Sequence, residues 1–479
     1  MFLTAGIVLA YYFWYDSVTL FIAIGIFSFS GVVVMIFGNK LHISPVCTVF
    51  YVFFIIGLIL TVGRIHASVY GIKEETVVAE IRINNVEINN GEYMLDVDFT
   101  SETASGKARL DANGYDIFSL GDKATALIYV KPMEIADENY KLNDYYFTRK
   151  EKYDGKILDV YKYENGGLNF IETIKLNIKD NLEVLGENQG IAYALLTGDK
   201  YLIDESTYDN YRVSGLAHVL AVSGLHVSII AGGLIFLLKK LKVNRFVRLG
   251  TVGGALFLYA VFCEFTPSVT RAFIMTSVLL VADCSGDEKD FLSSITLSAT
   301  IILLINPFNL FNVSFLLSYS AVLGIAMLYP QFKKLFRRIP VFFREFFAVS
   351  LAVNIFSFPV MAYYFKSVSL VFLLANILVL PAMSLGYMLL LMGAILSLIT
   401  TLKFFVYPGG IFVSYMNFVA EKVAELPFAS ISVKGLGISA ICLYFMFLAV
   451  SDFIMLKPKY KTVTASVSAV LFLSLAIFA

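Results

Sequence analysis

Two of the four histidines in this sequence lie in one short stretch, residues 211–233, where a polar segment changes into strongly apolar sequence. His218 and His226 are eight residues apart, so a single helix would place them roughly on one face, about two turns apart. Polar side chains inside a bilayer are costly and usually face a bundle interior or a water-filled cavity. They equally suit close packing between helices. The stretch also contains three serines and two glycines, which suit either arrangement: Ser214, Gly215, Ser223, Gly224 and Ser228.

A serine beside a histidine is also the pairing of a nucleophile and its general base. No acid that could orient the histidine lies nearby, and the sequence contains no GxSxG, GxxxxGK[ST] or HxHxDH motif. With His42 and His66, the histidines give no zinc-ligand spacing. We therefore predict no catalytic residue, no metal site and no cofactor, and keep an intramembrane hydrolase that uses Ser223 as the less favoured alternative.

Other polar residues interrupt apolar segments further along the chain. Arg271 lies about three residues into one segment and Glu264 ends the segment before it, so the two could pair across a hairpin. An arginine near a helix end also often extends its charge to the interface instead. Amide and hydroxyl side chains recur in the later segments at Asn312, Ser318, Asn354 and Asn376.

The composition defines the elements that must position these residues. With 58% hydrophobic and 15% charged residues among 479, and a mean hydropathy of +0.75, this is an integral membrane protein. Formal net charge is zero, so no global field indicates a nucleic acid partner. The four cysteines show no metal or redox spacing. The N-terminus has no basic region and no cleavage site, so we interpret it as a retained span.

Apolar runs predict helices in residues 1–70 and a helical bundle over 216–479. The run 367–400 is long for one span, so we predict a re-entrant half and a full span that divide at Pro381. Pro267, Pro307 and Pro359 predict further helix breaks. The predicted spans of the bundle are 217–238, 246–264, 268–283, 291–306, 310–329, 342–363, 367–400, 404–426, 436–454 and 462–478.

Residues 71–170 form the polar part of the chain that alternates as β-strands do, with turn signals such as Asn89-Asn90-Gly91. About five short strands predict a small OB-like β-barrel. Residues 72–170 hold 12 basic and 19 acidic residues, which does not favour phosphate binding. Residues 171–215 turn helical and amphipathic, as interfacial helices do. Clusters of lysine and arginine after three of the spans place residues 72–215 outside the cytoplasm and the N-terminus inside.

The stretch GLAHVLAVSGLHV, residues 215–227, resembles the signature of the ComEC competence family, membrane channels that import single-stranded DNA in natural transformation. PSVTRAFIM (267–275) and INPFNLFNVSFLLSYSAVLGI (305–325) resemble two further family motifs, and Leu196 to Lys200 resembles the segment upstream of the signature. The resemblance implies a helical polytopic membrane protein with an inserted OB-like extracytoplasmic domain. It also implies a channel in the cell membrane.

On that resemblance, we predict that a water-filled lumen is lined by His218, Ser223, His226, Arg271, Asn312, Ser318, Asn354 and Asn376. Many family members end in a metallo-β-lactamase-like domain, whereas this sequence stops at Ala479 after an apolar run, so we expect the form without it. The partners implied are single-stranded DNA, the lipid bilayer, a DNA receptor, a separate nuclease and a cytosolic ATPase or helicase. The alternative is a transporter or envelope-assembly protein for another polymer or solute on the same scaffold.

Overall fold

The computed structural model describes two structural units of the chain. The described residues are 74–89, 92–113, 121–132, 151–164, 169–286, 291–365 and 367–432, with isolated positions elsewhere. One unit comprises residues 1–172 with 299–312, and the other comprises 173–298 with 313–479. The predicted N-terminal helices, His42, His66 and the predicted spans 436–454 and 462–478 lie almost wholly outside the described residues.

The first unit contains a closed barrel of five strands, which confirms the OB-like domain. The order around the barrel is β1-β2-β3-β5-β4, and only the contact between β3 and β5 is parallel. Alternate residues of every strand fill its interior, as the alternation in the sequence predicts. β1 ends at Asn89 and β2 begins at Glu92, and these two residues pair with each other; the rest of the predicted turn at residues 89–91 lies outside the described residues. The strands are β1 (Glu75–Asn89), β2 (Glu92–Thr100), β3 (Ser105–Asp111), β4 (Lys123–Pro132) and β5 (Glu151–Glu164).

Helices make up nearly all of the described chain after residue 169. Three short ones come first, and longer apolar ones follow. Two short strands, β6 (Ser367–Ser369) and β7 (Ser430–Ser432), pair with each other. The helices are α1 (Phe170–Leu182), α2 (Gln189–Thr197), α3 (Glu205–Val213), α4 (Gly224–Lys240), α5 (Arg245–Phe262), α6 (Pro267–Ser285), α7 (Phe291–Ile305), α8 (Val313–Leu335), α9 (Val341–Phe365), α10 (Phe372–Thr400) and α11 (Tyr407–Ala424).

The helices of the second unit bury their apolar faces in three clusters. One joins α1, α2 and α3 to α10 and α11, a second joins α4, α5 and α6, and a third joins α8 and α9. Five described helices, α5, α6, α8, α9 and α10, are long and apolar enough to cross a membrane. The chain is therefore a multi-pass membrane protein.

Two predicted spans are wrong in detail. The helix predicted over 217–238 begins only at Gly224, because residues 214–223 form an irregular turn. The predicted division at Pro381 is also wrong, since α10 is one continuous helix of 29 residues that includes this proline. At about 1.5 Å per residue this helix is about 43 Å long, more than the roughly 30 Å hydrocarbon core, so it is long enough to cross a bilayer at a tilt.

The other prolines divide into two groups. Pro359 also lies inside a continuous helix, α9. Pro267 and Pro307 instead occupy the first position of a helix and of a 3-10 turn. A proline at this position loses no hydrogen bond, because the first N–H of a helix has no partner within the helix.

Candidate functional site

The irregular turn 214–223, hereafter the signature turn, ends in a double cap of α4. Ser223 is extended, and its hydroxyl accepts a hydrogen bond from the backbone N–H of Leu225 at 3.2 Å. In return, the backbone N–H of Ser223 donates to Nδ1 of His226 at 3.0 Å. This is the reciprocal capping box, with histidine where glutamate or glutamine usually stands. The sequence therefore starts the helix at Gly224, and His218 lies before it, in the turn.

His226 also connects α4 to two other helices. Its side chain is fully buried, and its ring meets the ring of Tyr387 on α10 edge to face, with 4.4 Å between centroids. The Tyr387 hydroxyl donates to the hydroxyl of Tyr259 on α5 at 3.0 Å. Because Nδ1 is the acceptor in the cap, the ring proton is on Nε2, which has no hydrogen-bond partner within the described residues.

Arg271 of α6 packs against the first turn of α4. Only 7% of the residue is exposed. Its Nη1 donates to the carbonyl of Ser318 on α8 at 3.3 Å, and the guanidinium lies 5.8 Å from the ring centroid of Tyr319. Its Nε has no partner, and no carboxylate of the described residues is within ion-pair distance. A buried cation without an anion therefore faces the N-terminal end of a helix, which itself favours negative charge.

Gly224 is required for this placement. A Cβ built on it would lie 2.7 Å from Nη2 of Arg271, closer than real Cβ contacts allow. Gly215 is constrained in a different way, because its φ of +81° is a conformation that side chains disfavour. A Cβ there would also lie 2.9 Å from the Cβ atoms of Ser369 and Phe372. Both glycines of the predicted signature thus allow close approach, one to α6 and one to the start of α10.

We expect Gly224→Ala to move the Arg271 guanidinium and lower the function of the site several-fold while α4 stays folded. The matched controls are Gly232→Ala and Gly233→Ala in the same helix, where an added Cβ meets nothing within 4 Å. Alanine in a helix interior favours folding by about 0.5–1 kcal/mol relative to glycine. Measuring thermal stability and activity for all three variants checks this, and equal activity in the three would contradict it.

The remaining predicted residues occupy three different settings. Asn376 on α10 is buried, and its Oδ1 has no partner in the described chain. His218 is exposed, with Nδ1 3.1 Å from the carbonyl of Gly215. Asn354 on α9 donates to the carbonyl of Ser350 one turn earlier. Asn312 follows the 3-10 turn Pro307–Phe311, in the other structural unit. The structure thus gathers Gly224, His226, Arg271 and Ser318 around the signature turn, but leaves Asn354 bonded within its own helix.

The predicted pair of Glu264 and Arg271 is wrong, because Glu264 pairs with Lys175 and Arg271 contacts α8 instead. Glu264 accepts from Nζ of Lys175 at 2.9 Å, and Asp199 accepts from the same nitrogen at 3.1 Å. No sequence signal indicates this role for Lys175, because it lies 89 residues before Glu264, on a short amphipathic helix whose lysines look solvated. Tyr259 and Tyr387 likewise escape prediction, because tyrosine in an apolar helix carries no distinguishing pattern.

The barrel surface most often used for nucleic acids in OB-folds is the face of strands 2 and 3. Here the basic residues of that face stand opposite acids across the ladder: Lys107 opposite Asp98, and Arg109 opposite Asp96. Leu95, Val97 and Phe99 point inward, and the outward positions of both strands carry no aromatic residue. The face therefore has neither excess positive charge nor rings on which bases could stack.

The described chain has five helices of membrane-spanning length, and a five-stranded OB-like barrel lies in a separate unit. These features define a multi-pass membrane protein with a small β domain. The profile of the "Competence protein" family matches residues 195–458, more than half of the chain and the part that holds the signature turn. The chain belongs to this family, which confirms the resemblance to ComEC competence proteins.

Individual relatives are more distant. ComE operon protein 3 of Bacillus subtilis is 29% identical over 197 residues, covering 41% of this chain and 25% of that protein. Recombination protein 2 of Haemophilus influenzae is 26% identical over 281 residues, covering 53% of this chain and 34% of that protein. An uncharacterized protein of Aquifex aeolicus is 35% identical over 122 residues, covering 25% of this chain and 28% of that protein. The chain therefore spans a quarter to a third of the length of these curated relatives. No solved structure matches it.

Proposed function

We propose that this chain forms a channel in the cell membrane that imports single-stranded DNA during natural transformation. Membership of the competence family supports the process. The observation that carries the proposal is Arg271, a buried cation with no carboxylate partner in the described residues, directed at the first turn of α4. Such a group gains most from an anion that enters beside it, and a strand of DNA brings one phosphate per nucleotide.

The residues around the signature turn take two roles in this proposal. Arg271 with His218, Ser223 and Ser318 contacts the strand, and Asn354 and Asn376 contribute further polar surface to the passage. His226 instead holds the turn in position, because its ring is buried and its Nδ1 is engaged in the cap. The proposed division of the chain is 1–70 and 216–479 in the membrane, 71–170 as the barrel and 171–215 along the surface.

The orientation follows from the lysine and arginine clusters at Lys239 to Arg248 and Lys333 to Arg344. On the positive-inside rule, residues 72–215 lie outside the cytoplasm and the N-terminus lies inside. Import then requires partners on both sides of the membrane. We propose a DNA receptor and a nuclease outside, and an ATPase or helicase that draws the strand into the cytosol.

Deleting the gene and measuring uptake of labelled DNA tests the function. We expect transformation to be lost and to return when the full chain is supplied from a plasmid. Uptake that continues at the wild-type rate in the deletion strain would contradict the proposal. Binding of DNA to the cell surface is measured in parallel, because loss of surface binding would implicate a receptor rather than a channel.

One observation favours the alternative, a transporter or envelope-assembly protein for another polymer or solute. The acid-paired face of the barrel does not suit phosphates. A deletion strain that transforms normally but has an altered envelope would support this alternative. The hydrolase alternative requires an acid to orient the histidine beside Ser223, whereas Nε2 of His226 has no partner within the described residues. Retained function in the Ser223→Ala variant would exclude the hydrolase alternative.

A further inference from the structure

The segment from α1 to α3 contains two lysines that lie over tyrosine rings, one on α1 and one in the loop between α2 and α3. Nζ of Lys179 lies 5.6 Å from the ring centroid of Tyr201, and Nζ of Lys200 lies 5.4 Å from that of Tyr208. Tyr201 in turn meets Tyr193 edge to face, with 5.6 Å between centroids. Each of the two ammonium groups thus lies over an aromatic ring. We call Lys179, Lys200, Tyr201 and Tyr208 the lysine–tyrosine patch.

The two lysines of the patch differ from their basic neighbours in lacking acidic partners. Lys175 is bound by Asp199 and Glu264, and Arg212 is bound by Asp209. Around Lys179 and Lys200, no carboxylate of the described chain lies within ion-pair distance. Burial lowers the pKa of Lys200, because its charge is partly removed from water without compensation. An incoming anion would supply the missing partner.

The patch also offers a surface on which a base could stack. Tyr201 is 45% exposed, although Lys179 lies over its ring. Tyr193, its neighbour, is buried and fixes the ring from the side. A ring held in place beside uncompensated ammonium groups is the combination that binds single strands, since phosphates meet the cations and unpaired bases meet the ring.

The patch lies next to the signature turn. Gly198, which begins the loop leading to Lys200 and Tyr201, stands against Val222 of the turn: a Cβ there would lie 3.3 Å from its side chain. Asp199 in the same loop is tied through Lys175 to Glu264, at the junction of α5 and α6. A strand bound at the patch would therefore be close to the turn against which Arg271 packs.

We propose that Lys179, Lys200 and Tyr201 form a binding site for single-stranded nucleic acid that receives the strand before it reaches the signature turn. This rests on the proposed function and assigns strand capture to the short helices rather than to the barrel. The cations contact the phosphates without regard to sequence, and the ring selects unpaired bases over a duplex, in which bases are already stacked.

The test measures binding of fluorescent oligo(dT) to the full chain in nanodiscs of uncharged lipid, by anisotropy, between about 50 and 200 mM salt. For the double variant Lys179→Gln and Lys200→Gln, we expect weaker binding and a plot of log K against log salt that is shallower by about 1.4, or about 0.7 for each phosphate that is no longer neutralised. For Tyr201→Ala, we expect binding about tenfold weaker with an unchanged salt slope. The matched control is Lys422→Gln on α11, whose ammonium already has Glu425 as a partner.

The outcomes separate this site from the function on which it rests. If the wild-type protein binds DNA and the lysine variant has the same affinity and salt slope, the proposed binding site is wrong. The proposed channel function is not affected by that result. Wild-type protein that binds no oligonucleotide would also overturn the binding site, while the deletion experiment decides the function separately. If the lysine variant instead loses only its affinity for anionic vesicles, the patch binds lipid headgroups and the inference is wrong. Equal melting temperatures for all variants exclude unfolding as the cause.

Discussion

Replacing Arg271 with glutamine should lower uptake of labelled DNA by about tenfold to a hundredfold, with the protein still present in the membrane at its normal level. The range corresponds to the roughly 1.5–3 kcal/mol of a hydrogen bond to a charged group. Glutamine keeps part of the aliphatic stem but removes the charged guanidinium, which lies beside Tyr319 and Gly224. The loss should therefore fall on the strand that the guanidinium meets, because Arg271 has no carboxylate partner in the described residues to be left unpaired.

Two further variants make the interpretation specific. Arg271→Lys keeps the charge but not the planar fork of donors, so we expect intermediate uptake. Arg344→Gln is the matched control in another helix of the bundle: Arg344 pairs with Glu345, which Lys333 also contacts at 3.0 Å. Its loss leaves that acid paired, so uptake should stay near normal. Normal uptake in Arg271→Gln would remove this residue from the passage, and loss of the protein from the membrane would make its role structural.

The barrel and most helices could be predicted because their signals are local. Strand alternation predicts the five short strands of the barrel, and apolar runs predict α5 and α6 to within about three residues of the observed ends. Pro381 was misjudged because proline is tolerated inside membrane helices whose neighbours satisfy the freed carbonyl. The length of the apolar run was the better signal there.

The site was harder to predict because its contacts join distant parts of the sequence. The pairing of Lys175 with Glu264 depends on how α1 packs on the junction of α5 and α6, and no spacing rule reaches that far. Both glycines of the signature stood out in the sequence, but their reasons differ. Gly215 requires a left-handed backbone, whereas Gly224 requires space for a guanidinium that is 47 residues further along the chain.

The start of α4 was misplaced because histidine is an unusual residue at the third helical position of a capping box. The pattern Ser223-Gly-Leu-His226 has the spacing of the capping box, with an imidazole nitrogen as the acceptor. The spacing of eight residues between the two histidines predicts that both lie on one face of a helix, but only His226 is helical. The two histidines differ in burial as well, since His218 is exposed and His226 is buried.

That difference leads to the second large effect, which we expect at His226. Leucine at this position fills the space but cannot accept the hydrogen bond from the Ser223 N–H. The Ser223 hydroxyl still caps Leu225, but the partly buried Ser223 N–H is left without its partner, which costs about 1–3 kcal/mol. Against a total stability of about 5–15 kcal/mol, His226→Leu should markedly lower both the melting temperature and the amount of protein in the membrane.

Glutamine is the informative counterpart, because it is a usual residue at this position of the capping box and can accept the same bond. We expect His226→Gln to restore most of the melting temperature, the membrane level and DNA uptake together. Ser228→Ala is the control in the same helix, since its exposed hydroxyl donates only to the carbonyl of Gly224. A glutamine variant that folds normally but takes up no DNA would show that the imidazole itself acts on the strand. Leucine and glutamine variants of equal stability would instead show that the cap does not hold the turn.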